Sequence, residues 1–212
     1  MTPLIVTGTD TGIGKTVLAA MLTLALDGVY WKPIQCGTES ATDTQRVRAL
    51  TQLGADHFRD ERYCLAAPLS PHRAAELENV TIDPARLQLP GDVPTGRTLI
   101  IEGAGGVLVP VTRELLQIDL FARWNAPVIV CARTQLGTIN HSLLTLEALR
   151  RRNIPVLGIL FIGDEMQDSE DTIVALGASR RLGRLPHLPS LNAAALHQAF
   201  QKHFDPNDFT RA

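Results

Sequence analysis

The sequence predicts an α/β fold of three layers, a mostly parallel sheet of about six to seven strands with helices on both faces. Three observations predict it. Apolar, β-branched runs alternate along the chain with segments of helical length, a glycine-rich turn joins the first run to the first such segment, and a later apolar run ends in a lone acid, Glu102. Strands separated by helices of this length imply right-handed crossovers and a sheet buried on both sides.

Leu4-Ile5-Val6 opens the sheet and stops at Gly8. Gly8, Gly12 and Gly14 fall within seven residues, and Lys15-Thr16 leads into the apolar segment Val17–Leu26. Strand, glycine-rich turn and helix in this order form a phosphate-binding P-loop, in which backbone N–H groups and the helix start hold an anion. Its nucleotide contacts fall on Gly12, Ile13, Gly14, Lys15, Thr16 and Val17, with Lys15 reaching the terminal phosphates and the Thr16 hydroxyl ligating Mg2+. By the usual spacing the first glycine would stand at residue 9, which is Thr9, so this loop is one residue longer.

Val29–Ile34 reads as a second strand ending at a turn over Cys36-Gly37-Thr38. Lys32 near its end either points into the crevice where open α/β sheets bind ligands or leaves the sheet for solvent. Residues 43–54 read as a helix with Thr42 or Asp43 as N-cap and Gly54 as stop; Asp43 has a second role open to it as a magnesium ligand. Residues 55–97 are the least legible stretch: Ser70 caps a helix starting at Pro71, and the low apolar content suggests a flap over the core.

Thr98–Ile101 is a strand buried on both faces, and Glu102, followed by Gly103-Ala104-Gly105-Gly106, delivers a carboxylate beside the P-loop in the manner of a Walker B element. Helix Leu115–Trp124, strand Pro127–Ala132, helix Ile139–Arg152, strand Pro155–Ile162, a short strand near Arg184-Leu185 and helix Asn192–His203 complete the alternation. At the strand-to-helix junction Leu136–His141, pattern alone favours a plain cap by Thr138, with carboxylate binding by free N–H groups as the alternative.

Bulk properties fit this reading. With 212 residues, one domain over residues 1–212 is expected. A net charge of −2 and a pI near 6.3 offer no basic footprint for nucleic acid or an anionic membrane, so a small substrate is expected. Cys36, Cys64 and Cys131 make neither a disulfide framework nor a zinc knuckle, and no apolar run approaches the roughly 18–20 residues of a membrane span, so a cytoplasmic protein is expected.

Four segments together resemble the dethiobiotin synthetase family: Gly8–Thr16 with its long loop, Lys32-Pro33-Ile34-Gln35-Cys36-Gly37, Glu102-Gly103-Ala104-Gly105-Gly106, and Leu136-Gly137-Thr138-Ile139-Asn140-His141. Ser70-Pro71-His72 is a weaker fifth. The resemblance implies a P-loop NTPase fold and an ATP-dependent ligase of biotin biosynthesis. Its substrates are 7,8-diaminononanoate and CO2 or bicarbonate. An amine takes up carbon dioxide as a carbamate, ATP phosphorylates the carbamate, and the second amine closes a ureido ring as phosphate leaves.

Carried over residue by residue, the resemblance makes Lys32, Lys15 and Thr11 catalytic. Lys15 neutralises the transferring phosphoryl group, while Lys32 and Thr11 hold the carbamate. Thr16, Asp43 and Glu102 become magnesium ligands, and Glu102, Gly103, Ala104 and Gly105 join the nucleotide site. The substrate carboxylate falls to Gly137, Thr138, Ile139 and Asn140 of a second subunit, which requires a homodimer and reverses the preference for a plain cap. Two positions depart from the family pattern. Cys36 replaces a serine or threonine that places the diamine, and a thiol is the weaker donor. Ile162 stands where an asparagine usually reads adenine, which leaves the base to backbone groups around Pro186, His187 and Leu188. An amidoligase would need a glutamine-hydrolysing domain for which there is no room. A partition ATPase of the ParA or MinD kind, the alternative of a different class, usually carries a second lysine early in the loop, and residues 9–13 contain none.

Overall fold

A computed structural model describes residues 2–210. A seven-stranded sheet forms the centre, all its pairings parallel, in the order β4-β2-β6-β1-β7-β8-β9. The strands are β1 (Thr2–Gly8), β2 (Val29–Trp31), β4 (Phe58–Arg59), β6 (Thr98–Gly106), β7 (Val128–Arg133), β8 (Val156–Ile162) and β9 (Arg181–Leu185). A two-stranded parallel sheet, β3 (Ile34–Cys36) with β5 (Tyr63–Leu65), stands apart from it.

Alternation along the strands sorts the core into two layers, as a sheet covered on both faces requires. Ile5, Trp31, Leu99, Ile101 and Val130 bury on one face against α4 (Gln117–Trp124) and α5 (Thr138–Arg151). Leu4, Val6, Tyr30, Ile100 and Ile129 bury on the other against α1 (Lys15–Ala25) and α7 (Ala193–His203). Trp31 and Trp124 touch across the first layer with ring centroids 5.7 Å apart.

Several expectations need correcting. The strand foreseen over Val29–Ile34 is two strands in two sheets, because the chain leaves the main sheet at Lys32-Pro33, where proline has no N–H to continue a ladder. Helix α2 (Asp43–Thr51) ends at Gln52, itself left-handed at φ 56°, two residues before the foreseen stop at Gly54. Its cap is Thr42, in a capping box with Gln45, which releases the Asp43 side chain for other contacts. Residues 55–97 are not a flap: Leu65, Ala74, Ala75, Ile82 and Leu87 bury in the first layer, and the Trp124 indole donates to the Leu87 carbonyl at 2.7 Å.

Helix α3 (Pro71–Leu77) starts at its proline as expected, but the Ser70 hydroxyl lies 3.0 Å from His72 Nδ1 and does not cap it. β6 runs on past the expected strand Thr98–Ile101 and Glu102 through Gly103–Gly106, Gly106 pairing with Gly8. Helices α6 (Gln167–Leu176) and α8 (Asn207–Thr210) have no counterpart in the sequence reading, the former because its polar first turn gives little apolar periodicity.

Candidate active site

The sheet register builds the site. β6 lies between β2 and β1, with Ile101 opposite Trp31 and Glu102 opposite Val6, so Lys32, Glu102 and the loop after β1 all emerge at one carboxyl end. Period-two alternation puts Tyr30, Lys32 and Glu102 on the same face as α1. A cavity of about 710 Å³ opens there. Its walls include Thr11, Gly12, Gly14, Lys15, Thr16 and Val17 from the loop, Lys32, Cys36 and Asp43 from the next segment, and Glu102, Ala104 and Gly105 from β6.

Glu102 is the hub of a buried network. It is 1% exposed. Its Oε1 accepts from Thr16 Oγ1 at 2.9 Å and from Lys32 Nζ at 2.9 Å, and its Oε2 accepts from the Tyr30 hydroxyl at 2.9 Å. Lys32 also reaches Asp43 Oδ2 at 2.8 Å and the Gly103 carbonyl at 3.4 Å. Lys32 therefore points into the crevice, and the solvent alternative is overturned. Burial works to lower the Lys32 pKa, but the carboxylates of Glu102 and Asp43 outweigh it and hold the ammonium above its ordinary value. For Asp43, burial pushes up and the Lys32 charge pulls down, and the net is a carboxyl below the usual range.

The signs fix a pH window. The depressed Asp43 contributes stability above its ordinary value of 3.8 that is lost as pH falls through the lower folded value. The raised Lys32 contributes below 10.5 and loses that contribution as pH climbs through its higher folded value. Urea midpoints measured from acid to neutral pH are expected to rise less in Asp43→Asn than in the parent; parallel curves would show that the pair adds nothing on the acid side.

Lys15 is buried, and its ammonium donates to the Asp10 carbonyl within the loop at 2.8 Å. Burial first, then the Lys32 charge, holds its pKa below the ordinary value, so two cations converge on one small volume. That arrangement suits a polyanion. Gly12 and Gly14 hold φ of 71° and 100°, the left-handed region where a Cβ is strained, which lets the loop curl back over the helix start. The longer loop has its own anchor: Asp10 accepts from Thr11 N at 2.7 Å and from Arg133 at 2.9 Å.

The donors also suit a divalent cation. Thr16, Asp43 and Glu102 offer hard oxygens, and the two carboxylates already share one ammonium within 3 Å, so positive charge between them is favoured. Among the described residues no group of three or more His, Cys, Asp and Glu forms a metal cage. Two carboxylates and a hydroxyl match Mg2+, which keeps positions for water and phosphate oxygens.

A family model described as an AAA domain matches residues 2–195. The ATP-dependent dethiobiotin synthetase BioD of Rhodopseudomonas palustris (strain TIE-1) is 58% identical over 206 residues, spanning 97% of this chain and 96% of its own. The protein of the same name from Agrobacterium fabrum (strain C58 / ATCC 33970) is 59% identical over 207 residues, spanning 97% and 95%. This chain belongs to the dethiobiotin synthetase family. Among solved structures, a ParA family ATPase from Chlorobium tepidum TLS aligns with a TM-score of 0.58 at 11% identity, over 93% of this chain and 97% of its own. The MinC:MinD cell division protein complex of Aquifex aeolicus gives 0.54 at 10%, over 94% and 86%. At such identities these share the P-loop fold alone, and the partition-ATPase alternative is not favoured.

For a dethiobiotin synthetase, the two departures now have surroundings. Burial pushes the Cys36 thiol up to about 11, so it meets the cavity as a neutral thiol. Ile162 packs under the loop, its Cδ1 and Cγ2 both 3.3 Å from where a Cβ on Gly14 would sit. Neither Ile13, which is buried, nor Gly103, whose carbonyl accepts from Lys32, is on the cavity wall. Pro186, His187 and Leu188 follow β9 outside the cavity.

The junction Gly137, Thr138, Ile139 and Asn140 also lies outside it, next to a fully exposed Leu136. Thr138 is not the cap there. Gly137 takes the N-cap position at φ 94°, and the Thr138 hydroxyl donates to the Arg133 carbonyl at 2.5 Å. Two site residues escape the sequence reading: Tyr30, and Gln35, whose amide oxygen accepts from Asp43 N at 3.0 Å. The signal for Tyr30 is its place two residues before Lys32 on one strand face. Among the described residues no helix is long and apolar enough to cross a membrane.

Proposed function

We propose that this chain is a cytoplasmic, Mg2+-dependent dethiobiotin synthetase acting as one unit over residues 1–212, and that it converts 7,8-diaminononanoate, CO2 and ATP into dethiobiotin, ADP and phosphate. One observation carries the reading: the Lys32 ammonium, bound to Glu102 and Asp43, faces the same cavity as Lys15 and Thr16 of the phosphate loop. A nucleotide switch needs the loop and the acid; a second buried cation beside them suits a second anion.

In this reading an amine of the diamine attacks CO2, forms the N–C bond and loses its proton, giving a carbamate. A carbamate oxygen then attacks the γ-phosphorus, ADP leaves, and a carbamic-phosphoric anhydride results. The second amine attacks the carbonyl carbon, loses a proton and expels phosphate as the ring closes. Two anions must meet, so positioning and charge neutralisation account for most of the acceleration. Lys32 and Thr11 hold the carbamate and Lys15 the γ-phosphoryl group. Mg2+ held by Thr16, Asp43 and Glu102 would neutralise phosphate charge.

The start of α5, where Gly137 and Asn140 are exposed, supports a homodimer in which each subunit offers Gly137, Thr138, Ile139 and Asn140 to its partner's substrate carboxylate. Gly12 to Val17 with Glu102 to Gly105 hold the phosphates, and Pro186 to Leu188 meet the base through backbone. Phosphate release from ATP is expected to require the diamine and bicarbonate together and to ignore glutamine and DNA. Release that needed either of those would overturn the proposal.

A further inference from the structure

We infer that Tyr30 is a positioning residue for this site: its buried hydroxyl fixes Glu102 Oε2, so that Oε1 alone is turned towards Thr16, Lys32 and the place where Thr16, Asp43 and Glu102 would hold Mg2+. The inference rests on the function proposed above and adds a residue to its machinery.

Three observations carry it. Tyr30 is fully buried on β2, on the same sheet face as Glu102, and donates to Oε2 at 2.9 Å. Its ring is held from the side by Phe58, edge to face at 6.5 Å, so the hydroxyl has a fixed origin. Glu102 divides its two oxygens cleanly, Oε1 to the two cavity-lining donors Thr16 and Lys32, and Oε2 to Tyr30. A carboxylate that is 1% exposed needs a donor on each oxygen, since an unsatisfied one in a dry site is costly. A neutral phenol meets that need without cancelling the charge, as a second ammonium would. Groups that orient a ligand from behind set its affinity and reach nearly as much as the ligand itself.

Tyr30→Phe keeps the ring and its packing and removes only the donor. Binding of Mn2+ to the protein with ATP and no diamine, followed by electron paramagnetic resonance, is expected to weaken about tenfold to a hundredfold, with the diamine KM unchanged. Phe58→Leu loosens the ring that fixes the hydroxyl's origin without removing the donor, and is expected to lower Tm and to weaken Mn2+ binding by less than Tyr30→Phe does. In the background Glu102→Asp, which draws the carboxylate away from the phenol, adding Tyr30→Phe is expected to cost little more. Unchanged Mn2+ binding in Tyr30→Phe, or full additivity with Glu102→Asp, would overturn the assignment and leave the proposed function standing. If the parent protein bound no Mn2+ in the presence of ATP, both would fall.

Discussion

Lys32→Ala is expected to lower kcat by about 10³-fold while the ATP Kd stays within about threefold, because the loop amides, Lys15 and Thr16 are untouched and only the preorganised carbamate cation is lost. The same change strips a buried ammonium from between Asp43 and Glu102. Breaking a buried pair by removing one partner costs about 3–5 kcal/mol, so the variant is also expected to unfold at lower urea. Lys32→Met keeps the side-chain volume and separates packing from charge. Mg2+ is expected to raise Tm more in either variant than in the parent, since the two carboxylates then face each other without a cation. Turnover near the parent rate in both would return Lys32 to a structural role.

Glu102→Ala is the second large loss. It removes at once the acceptor of Thr16, Lys32 and Tyr30, and with it the link between the P-loop helix, β2 and the cavity. We expect kcat to fall by about 10²- to 10³-fold, as for loss of a preorganised electrostatic group, with a rise in the Mg2+ needed for half-maximal rate. Glu102→Gln tests charge against shape: it keeps the length but turns a neutral amide to the Lys32 ammonium. If Glu102→Gln retained the parent's Mg2+ dependence, the carboxylate would not be serving the cation. Steady-state kinetics over a Mg2+ series with both variants decides this.

The carboxyl end of the sheet is legible in the sequence because its chemistry is local. Gly12, Gly14, Lys15 and Thr16 are adjacent in the chain, and the acid at the end of Thr98–Ile101 is set off by an unbroken apolar run. Tyr30 and Gln35 look like ordinary strand residues, and their roles exist only once β2 and β6 are in register and α2 is docked. The second sheet hides for a similar reason. Ile34–Cys36 and Tyr63–Leu65 are three residues each and far apart in sequence, too short to carry a periodic signal. Residues 55–97 mislead because a few well-buried apolar residues, Leu65, Ala74, Ala75, Ile82 and Leu87 among them, suffice there, while Leu69, Leu77 and Val80 are exposed. At α5 the expected cap, Thr138, and the observed one, Gly137, differ by one residue, within the margin to which helix ends are read from a sequence.

In the proposed reaction this cavity joins one carbon from CO2 to a diamine at the expense of ATP. Its most direct test supplies the purified protein with 7,8-diaminononanoate, Mg2+, ¹⁴C-bicarbonate and ATP, with CTP and GTP in parallel because Ile162 stands under the loop. Labelled cyclic urea is expected, with one phosphate released for each ring formed. Phosphate released without label entering the diamine would contradict it.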